Sequence, residues 1–311
     1  MSAPILHPTA ENIAYAAATL SAGGLVAMPT ETVYGLAANA SDAAAVAKLY
    51  TAKGRPRFNP LIAHVADLEM ACQQGQFRTD ALALAETFWP GPLTLIVDTA
   101  PGITICDLAR AGLDSVALRV PAHPVAQALL NAFGGPLVAP SANPSGQISP
   151  TTARHVATDI GDRIDLILDG GPCSAGIEST IIDARGEHPA LLRPGSLDPA
   201  GIAAIWPGLT RPQDNPDAPQ SPGQLLRHYA PIAELRLNAV HAEPGEAYLG
   251  FGPGTCDLNL SPTGDLSEAA ANIFAMLRAL DGEHTRIAVA PIPDTGLGEA
   301  INDRLTRAAK A

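Results

Sequence analysis

Residues 28–65 read MPTETVYGLAANASDAAAVAKLYTAKGRPRFNPLIAHV, and this stretch sets a strand, a helix and a second strand in succession. The first strand, LVAM at 25–28, is apolar and stops at Pro29. It runs into Thr30, Glu31 and Thr32, hydroxyls and a carboxylate at a strand tip, where open α/β sheets bind ligands. Asp42 is placed to cap a helix that carries Ala44, Val46, Ala47, Leu49 and Tyr50 and breaks at Gly54 and Pro56. The second strand, 61–65, contains His64.

Between that helix and the second strand lie three cations, Lys53, Arg55 and Arg57. Lysine is scarce in the chain, occurring only at Lys48, Lys53 and Lys310, so Lys53 is not a product of composition. An ammonium beside guanidinium groups suits a polyphosphate, the first as a compact point charge and the second as a two-pronged donor. A basic loop facing water has the same appearance, and charge alone does not separate the two.

Working outward, residues 10–22 give an amphipathic helix stopped by Gly23 and Gly24. Downstream the pattern gives helices over 67–74 and 79–89, strands over 93–97 and 115–120, a helix that starts in PAHP at 121–124 and runs to about 133, and a strand over 136–139. Arg119 lies inside the otherwise apolar 115–120 strand and needs solvent, a partner or an anion; a salt bridge within the fold serves as well as a ligand. The 136–139 strand runs into PSANPSG at 140–146, which is an ordinary turn composition and also a set of hydroxyl and amide groups at a strand end. Ser149 precedes a helix over 151–159, where backbone N–H groups can meet an anion. Strands over 165–169 and 179–183 read as the last of this domain, and Arg193 ends a further apolar run.

Residues 207–231 break the composition, being dense in Pro, Asp, Gln and Ser, and read as a linker. The end of it, SPGQLLRHYAP at 221–231, holds Arg227, His228 and Tyr229, more chemistry than a tether requires. Beyond it come strands over 233–237, 247–250 and 285–290 and helices over 266–280 and 298–309, a small α/β unit. GFGPG at 250–254 lacks both the GxGxxG spacing and a following helix, so no dinucleotide fingerprint is present there. The expected organisation is a domain over 1–208, a linker or lid over 209–231 and a second domain over 232–311.

The chain has 311 residues, 47% of them hydrophobic, enough for two packed cores. Its N-terminus has no basic region ahead of an apolar run, and no stretch reaches the roughly 18 apolar residues of a membrane span. Cys72, Cys106, Cys173 and Cys256 stand far apart with no CxxC pair, as expected of reduced thiols in a cytoplasm. No HExxH or reactive-cysteine context appears, and no metal ligand set is expected. The net charge is −12, with 11 Lys and Arg against 18 Asp and Glu over 1–208 and 8 against 13 over 209–311. A chain that gripped tRNA tightly would need a basic surface to displace counterions, so this balance argues against it.

Six strings in order, PTETVYGL, KGRPRFNPLIAHV, FWPGPLTLIV, VALRVPAHP, APSANPSG and GIESTIID, resemble the YrdC-like family of threonylcarbamoyl-adenylate synthases, and the tail resembles the extra domain of that family's long form. The resemblance implies an α/β fold, a twisted open mixed sheet with flanking helices, followed by a smaller α/β domain. It implies an activity: L-threonine, bicarbonate and ATP give threonylcarbamoyl-AMP and pyrophosphate, the first step of a tRNA adenosine modification. Magnesium is expected with the triphosphate, and a downstream threonylcarbamoyl-transferase machinery is expected to consume the product.

Carried onto this chain, the resemblance assigns catalysis to Lys53, Arg55, Ser141 and Asn143. It assigns ATP to those four with Asn59, Ser115, Ser149, Arg193 and Tyr229, and L-threonine to Thr30, His64, Arg119 and Ser179. In the long form the 221–231 segment lies over the active site, with Tyr229 on the nucleotide. Two other readings stay open on sequence alone: a nucleotide- or RNA-binding module that kept the fold without catalysis, and carbamoyl-adenylate chemistry with an acceptor other than threonine.

Overall fold

The computed structural model describes residues 2–56, 58–212 and 228–310. The chain begins with β1 (Ile5–Leu6), α1 (Ala10–Ser21), β2 (Val26–Met28), β3 (Gly35–Asn39), α2 (Ala43–Lys53) and β4 (Ile62–His64). It continues through α3 (Leu68–Gln74), β5 (Gly75–Gln76), α4 (Thr79–Phe88), β6 (Leu93–Thr99), β7 (Ser115–Arg119) and α5 (Pro124–Phe133). The first domain closes with β8 (Leu137–Val138), α6 (Ala153–Ile160), β9 (Leu166–Leu168), β10 (Thr180–Asp183), β11 (Ala190–Arg193) and α7 (Pro199–Ile205). The second comprises β12 (Glu234–Arg236), β13 (Ala247–Gly250), β14 (Leu258–Asn259), α8 (Leu266–Asp281), β15 (Arg286–Val289) and α9 (Leu297–Ala308).

The strands of the first domain form one mixed sheet in the order β1-β9-β2-β3-β8-β4-β7-β6-β10-β11, with β5 on β6. The second domain is a parallel sheet in the order β12-β15-β13-β14. This is the mixed, twisted α/β arrangement with a smaller α/β domain that the motifs imply.

In the first half of the large sheet both faces are covered. Val26 and Met28 of β2, Ala37 of β3 and Leu166 and Leu168 of β9 pack with α1 and α5. The alternate residues Ala27, Leu36, Ala38 and Ile167 pack on the other face with α2 and α6. Burial on both faces explains why these strands are apolar throughout and do not alternate. In the second half, Ile62, Ala117, Ile96, Ile181 and Leu192 form a small separate cluster on one face. The strand positions that continue this face are polar: His64, Arg119, Ser179 and Arg193.

Several elements were not expected. β3 is built from GLAAN, whose small residues are poor strand formers. Its pairing with β2 and β8, a tertiary contact, makes it a strand. β11 follows β10 antiparallel, so 179–183 is not the last strand of this domain. The two-residue β1 and β14 and the short α7 also escape a periodicity reading, which needs more residues to register.

The domains are joined by more than the linker. The core of the second domain includes Val33, Ile148 and Ile177 of the first, packed with Tyr229, Phe274 and their neighbours. Arg278 of α8 meets Asp159 of α6 at 2.6 Å, and Arg304 of α9 meets Glu178 at 2.9 Å. No helix among the described residues is long and apolar enough to cross a membrane.

Candidate active site

The β4–β7 pairing sets His64 directly beside Arg119. Around them a cavity of about 50 Å³ is lined by Thr30, Thr32, Arg55, Ser141, Ser179, Arg193, His228 and Tyr229, among others. It lies where polar groups at strand ends converge, as the Thr30–Thr32 tip suggested.

At one end Arg119 is fully engaged. Its Nη2 donates to Glu31 Oε1 at 2.6 Å, its Nη1 to Thr32 Oγ1 at 2.9 Å and its Nε to the Gly91 carbonyl at 3.2 Å. Burial alone would raise the Glu31 carboxyl; the charge and hydrogen bond of Arg119, with the Ala122 N–H, outweigh it and hold the group below its usual range. Thr30 shares a 2.8 Å hydrogen bond with Thr32. His64 is pushed down to about 3 by burial and by Arg119, so it is neutral at ordinary pH. Ser179 Oγ contacts Thr94 Oγ1 at 2.8 Å and receives Arg193 Nη2 at 3.1 Å.

The other end is built by the turn after α2. Asp42 caps that helix through the Ala44 N–H and Lys53 is buried as its last residue; Gly54 closes it in the left-handed region at φ 59°, turning the chain at Arg55 off the helix. Lys53 Nζ donates to the carbonyls of Ser141 at 2.5 Å and Asn143 at 2.6 Å. Arg55 donates to the carbonyls of Asn59 at 3.4 Å and Pro60 at 3.1 Å. Among the described residues neither meets a carboxylate at ion-pair distance, though both are buried. Burial, then the charge of Arg55, pushes Lys53 well below the ordinary lysine value, and burial, with the charge of Arg193, brings Arg55 down to about 10.

Among the described residues several buried polar atoms here lack a hydrogen-bond partner: both side-chain polar atoms of Asn59, Asn143 Oδ1, His228 Nδ1, Tyr229 OH and Arg304 Nη2. Unpaired buried groups of this kind are uncommon in a folded chain, and water or a ligand can complete such a network.

The remaining expected residues fall in three positions. Ser141 lines the cavity, while Lys53, Asn59, Asn143 and Ser149 stand behind its wall. Ser149 Oγ donates to Glu178 Oε1 at 2.5 Å. Ser115 does not line this cavity: it begins β7, opposite Asp98, at the other end of the strand from Arg119. Arg57 and Arg227, with the rest of 213–227, lie outside the described residues.

Tyr229 is 1% exposed and forms part of the cavity wall. Its ring stacks on Phe274 with centroids 5.5 Å apart, touches His228 edge-on and lies under the Arg304 guanidinium at 5.3 Å. Its backbone has φ 62°, uncommon for a bulky residue and a form of strain that collects at functional sites. Ala230 N donates to the Gly146 carbonyl at 2.8 Å, pinning this segment to the turn after β8.

The sequence reading singled out neither Glu178 nor Arg304 as a site residue. Glu178 lines the cavity, and Arg304, which is 1% exposed, holds its Oε2. The signal for Arg304 was an arginine on the same helical stripe as Ile301, Leu305 and Ala308. Among the described residues no three His, Cys, Asp or Glu side chains gather in a metal-binding cluster. The carboxylate on the cavity wall, Glu178, is already engaged by Arg304 and Ser149, so magnesium fits here as a companion of a triphosphate rather than in a protein cage.

Comparison with known proteins finds relatives that cover nearly the whole chain. Residues 18–195 match the Sua5, YciO and YrdC family model, described as "Telomere recombination", and residues 198–310 match "Threonylcarbamoyl-AMP synthase, C-terminal domain". A Bacillus subtilis threonylcarbamoyl-AMP synthase is 40% identical over 96% of this chain and 92% of its own. One from Pyrococcus abyssi is 39% identical over 95% of this chain and 93% of its own. The crystal structure of P. abyssi Sua5 complexed with L-threonine superposes with a TM-score of 0.91 at 36% identity, covering 98% of this chain and 96% of that one. With both of its domains accounted for, the chain belongs to the threonylcarbamoyl-AMP synthase family, in the long form that carries the C-terminal domain.

Proposed function

We propose that this chain is an L-threonylcarbamoyladenylate synthase, forming threonylcarbamoyl-AMP and pyrophosphate from L-threonine, bicarbonate and ATP for tRNA modification. The observation that carries the reading is a surplus of buried positive charge. Among the described residues Lys53 and Arg55 are buried at or behind one small cavity and meet no carboxylate at ion-pair distance, while Arg119 is paired with Glu31 and Arg304 with Glu178 and Asp303. Uncompensated buried cations are costly, and a triphosphate supplies the missing negative charge.

In this reading the Arg119 end takes L-threonine, with Thr30, His64 and Ser179 around its carboxylate. The Lys53 and Arg55 end takes the nucleotide, helped by Ser141, Asn143, Asn59, Ser149, Arg193 and Tyr229. The threonine amine captures carbon dioxide from bicarbonate as a carbamate. A carbamate oxygen then bonds to the α-phosphorus while the bond to the bridging oxygen breaks and pyrophosphate leaves. Such a reaction depends on positioning and charge neutralisation, not on a protein nucleophile, which matches a site of cations and neutral donors. Magnesium, carried on the phosphates, supplies further neutralisation there.

A free volume of about 50 Å³ holds a few waters and is small for a nucleotide, so in this reading the wall moves on binding. His228 and Tyr229 are the wall that comes from outside the sheet, and their displacement and return shelter the adenylate from water. Part of the proposed lid, 221–227, lies outside the described residues. A cytoplasmic location and hand-over of the adenylate to a separate threonylcarbamoyl-transferase belong to the same reading, as does weak contact with tRNA at a net charge of −12.

Threonine-dependent pyrophosphate release from ATP and bicarbonate tests it. A nucleotide- or RNA-binding module gives no release, and an enzyme with another acceptor releases pyrophosphate only when that acceptor replaces threonine. Either result overturns the proposal.

A further inference from the structure

Arg304 sits on the inward stripe of α9 among Ile301, Leu305 and Ala308, where the helix builds the core of the second domain. Yet most of its contacts lie across the domain boundary. Its Nε donates to Glu178 Oε2 at 2.9 Å and its Nη1 to the Pro194 carbonyl at 2.7 Å, while its guanidinium covers the Tyr229 ring. Asp303 Oδ2, at 2.8 Å, is the contact from its own helix. Glu178 and Tyr229 line the cavity, and Arg304 does not.

A buried guanidinium stapling two domains needs no further role, but Glu178 gives it one. That carboxylate is the negative charge on the cavity wall, in a space of about 50 Å³ that Arg55 also lines. Ser149 holds its Oε1 and Arg304 its Oε2, so both oxygens are committed. Released from Arg304, the carboxylate would turn to the site's own cations and cancel the charge that a nucleotide must find. Burial would raise its pKa, but Arg304, Arg193 and the Ser149 hydrogen bond outweigh this and hold it below the usual carboxylate range, so in the intact protein it is ionised.

We infer that Arg304 of the C-terminal domain is a positioning residue for the nucleotide, holding Glu178 against Ser149 and propping Tyr229, so that the second domain sets the charge of a site built on the first. The inference rests on the reading of this site as one that binds ATP. It makes the C-terminal domain a part of the site's electrostatics rather than an appendage.

The test uses the full-length protein and reads ATP affinity by calorimetry, KM for ATP and for threonine, and melting temperature. Arg304→Met is expected to weaken ATP binding about tenfold or more, the scale of one charge-assisted contact, with a smaller change in the threonine KM. Adding Glu178→Gln removes the loose carboxylate, and Arg304→Met/Glu178→Gln is expected to bind ATP more tightly than Arg304→Met alone. Glu299→Gln on the same helix breaks the exposed pair with Arg211 and serves as the docking control, with ATP affinity within about twofold of the unaltered protein. Should Arg304→Met fail to fold, Arg304→Gln decides: it keeps a polar donor but removes the charge facing Glu178, and an ATP affinity equal to the unaltered protein overturns the inference. So does unchanged affinity in a folded Arg304→Met, or a double variant that binds no better than the single one. If the unaltered protein binds ATP but releases no pyrophosphate with threonine, the proposed reaction fails while the affinity series still decides the role of Arg304.

Discussion

At one end of the cavity Arg119 meets Glu31 at 2.6 Å and Thr32 at 2.9 Å; at the other, among the described residues, Lys53 and Arg55 hydrogen-bond only to backbone carbonyls. Both ends are buried and both carry cations, but one is neutralised by the protein and the other is not. The difference matches the two proposed substrates. Threonine arrives as a zwitterion and needs a geometrically fixed donor that Glu31 orients, whereas a triphosphate brings several negative charges and needs cations that nothing in the fold has already satisfied.

The largest effect is expected at the unneutralised end. Lys53→Ala and Arg55→Ala should each weaken ATP binding about tenfold to a hundredfold while leaving threonine affinity nearly unchanged, as read by calorimetry. Unchanged ATP affinity in both would erase the contrast between the two ends. At the neutralised end, Arg119→Lys keeps the charge and loses the fork. The KM for threonine should rise about tenfold and that for ATP by less. Equal rises, or a variant that does not fold, would make the Arg119–Glu31 pair a structural bridge.

The pH dependence sharpens the same comparison. Lys53 is held well below the ordinary lysine value by burial and by Arg55, so it loses its proton at a lower pH than an exposed lysine does. A bound triphosphate raises that value again, so ATP affinity should fall as pH rises through the depressed pKa of the free protein, with proton uptake on binding in that window. Lys53→Met should flatten this limb of the profile. Persistence of the limb in that variant assigns it to another group. The smallest effect is expected from Tyr229→Ala, which opens the wall without removing a charge. Pyrophosphate release should persist while the yield of intact threonylcarbamoyl-AMP falls, and an unchanged yield would show that Tyr229 does not shelter the product.

The sequence by itself carried most of the framework. The α2 helix, its Asp42 cap and its Gly54 stop lie as read, because caps and glycine stops act over a few neighbouring residues. The polar tip at Thr30–Thr32, the arginine inside β7 and the second α/β domain were also legible, since an apolar run interrupted by a charge is visible in one dimension. What the sequence could not show was who meets whom. β3 becomes a strand because β2 and β8 flank it, against the preference of GLAAN. Ser115 and Arg119 sit four positions apart on one strand, yet only Arg119 reaches the cavity, because an extended chain carries its two ends to opposite edges of the sheet. Arg304 lies 126 residues from Glu178 and reads as one more charge on an amphipathic helix. Only the docking of the two domains removes it from water and leaves the carboxylate of Glu178 as its partner, and burial, which turns a surface cation into a structural one, is a property of the folded chain.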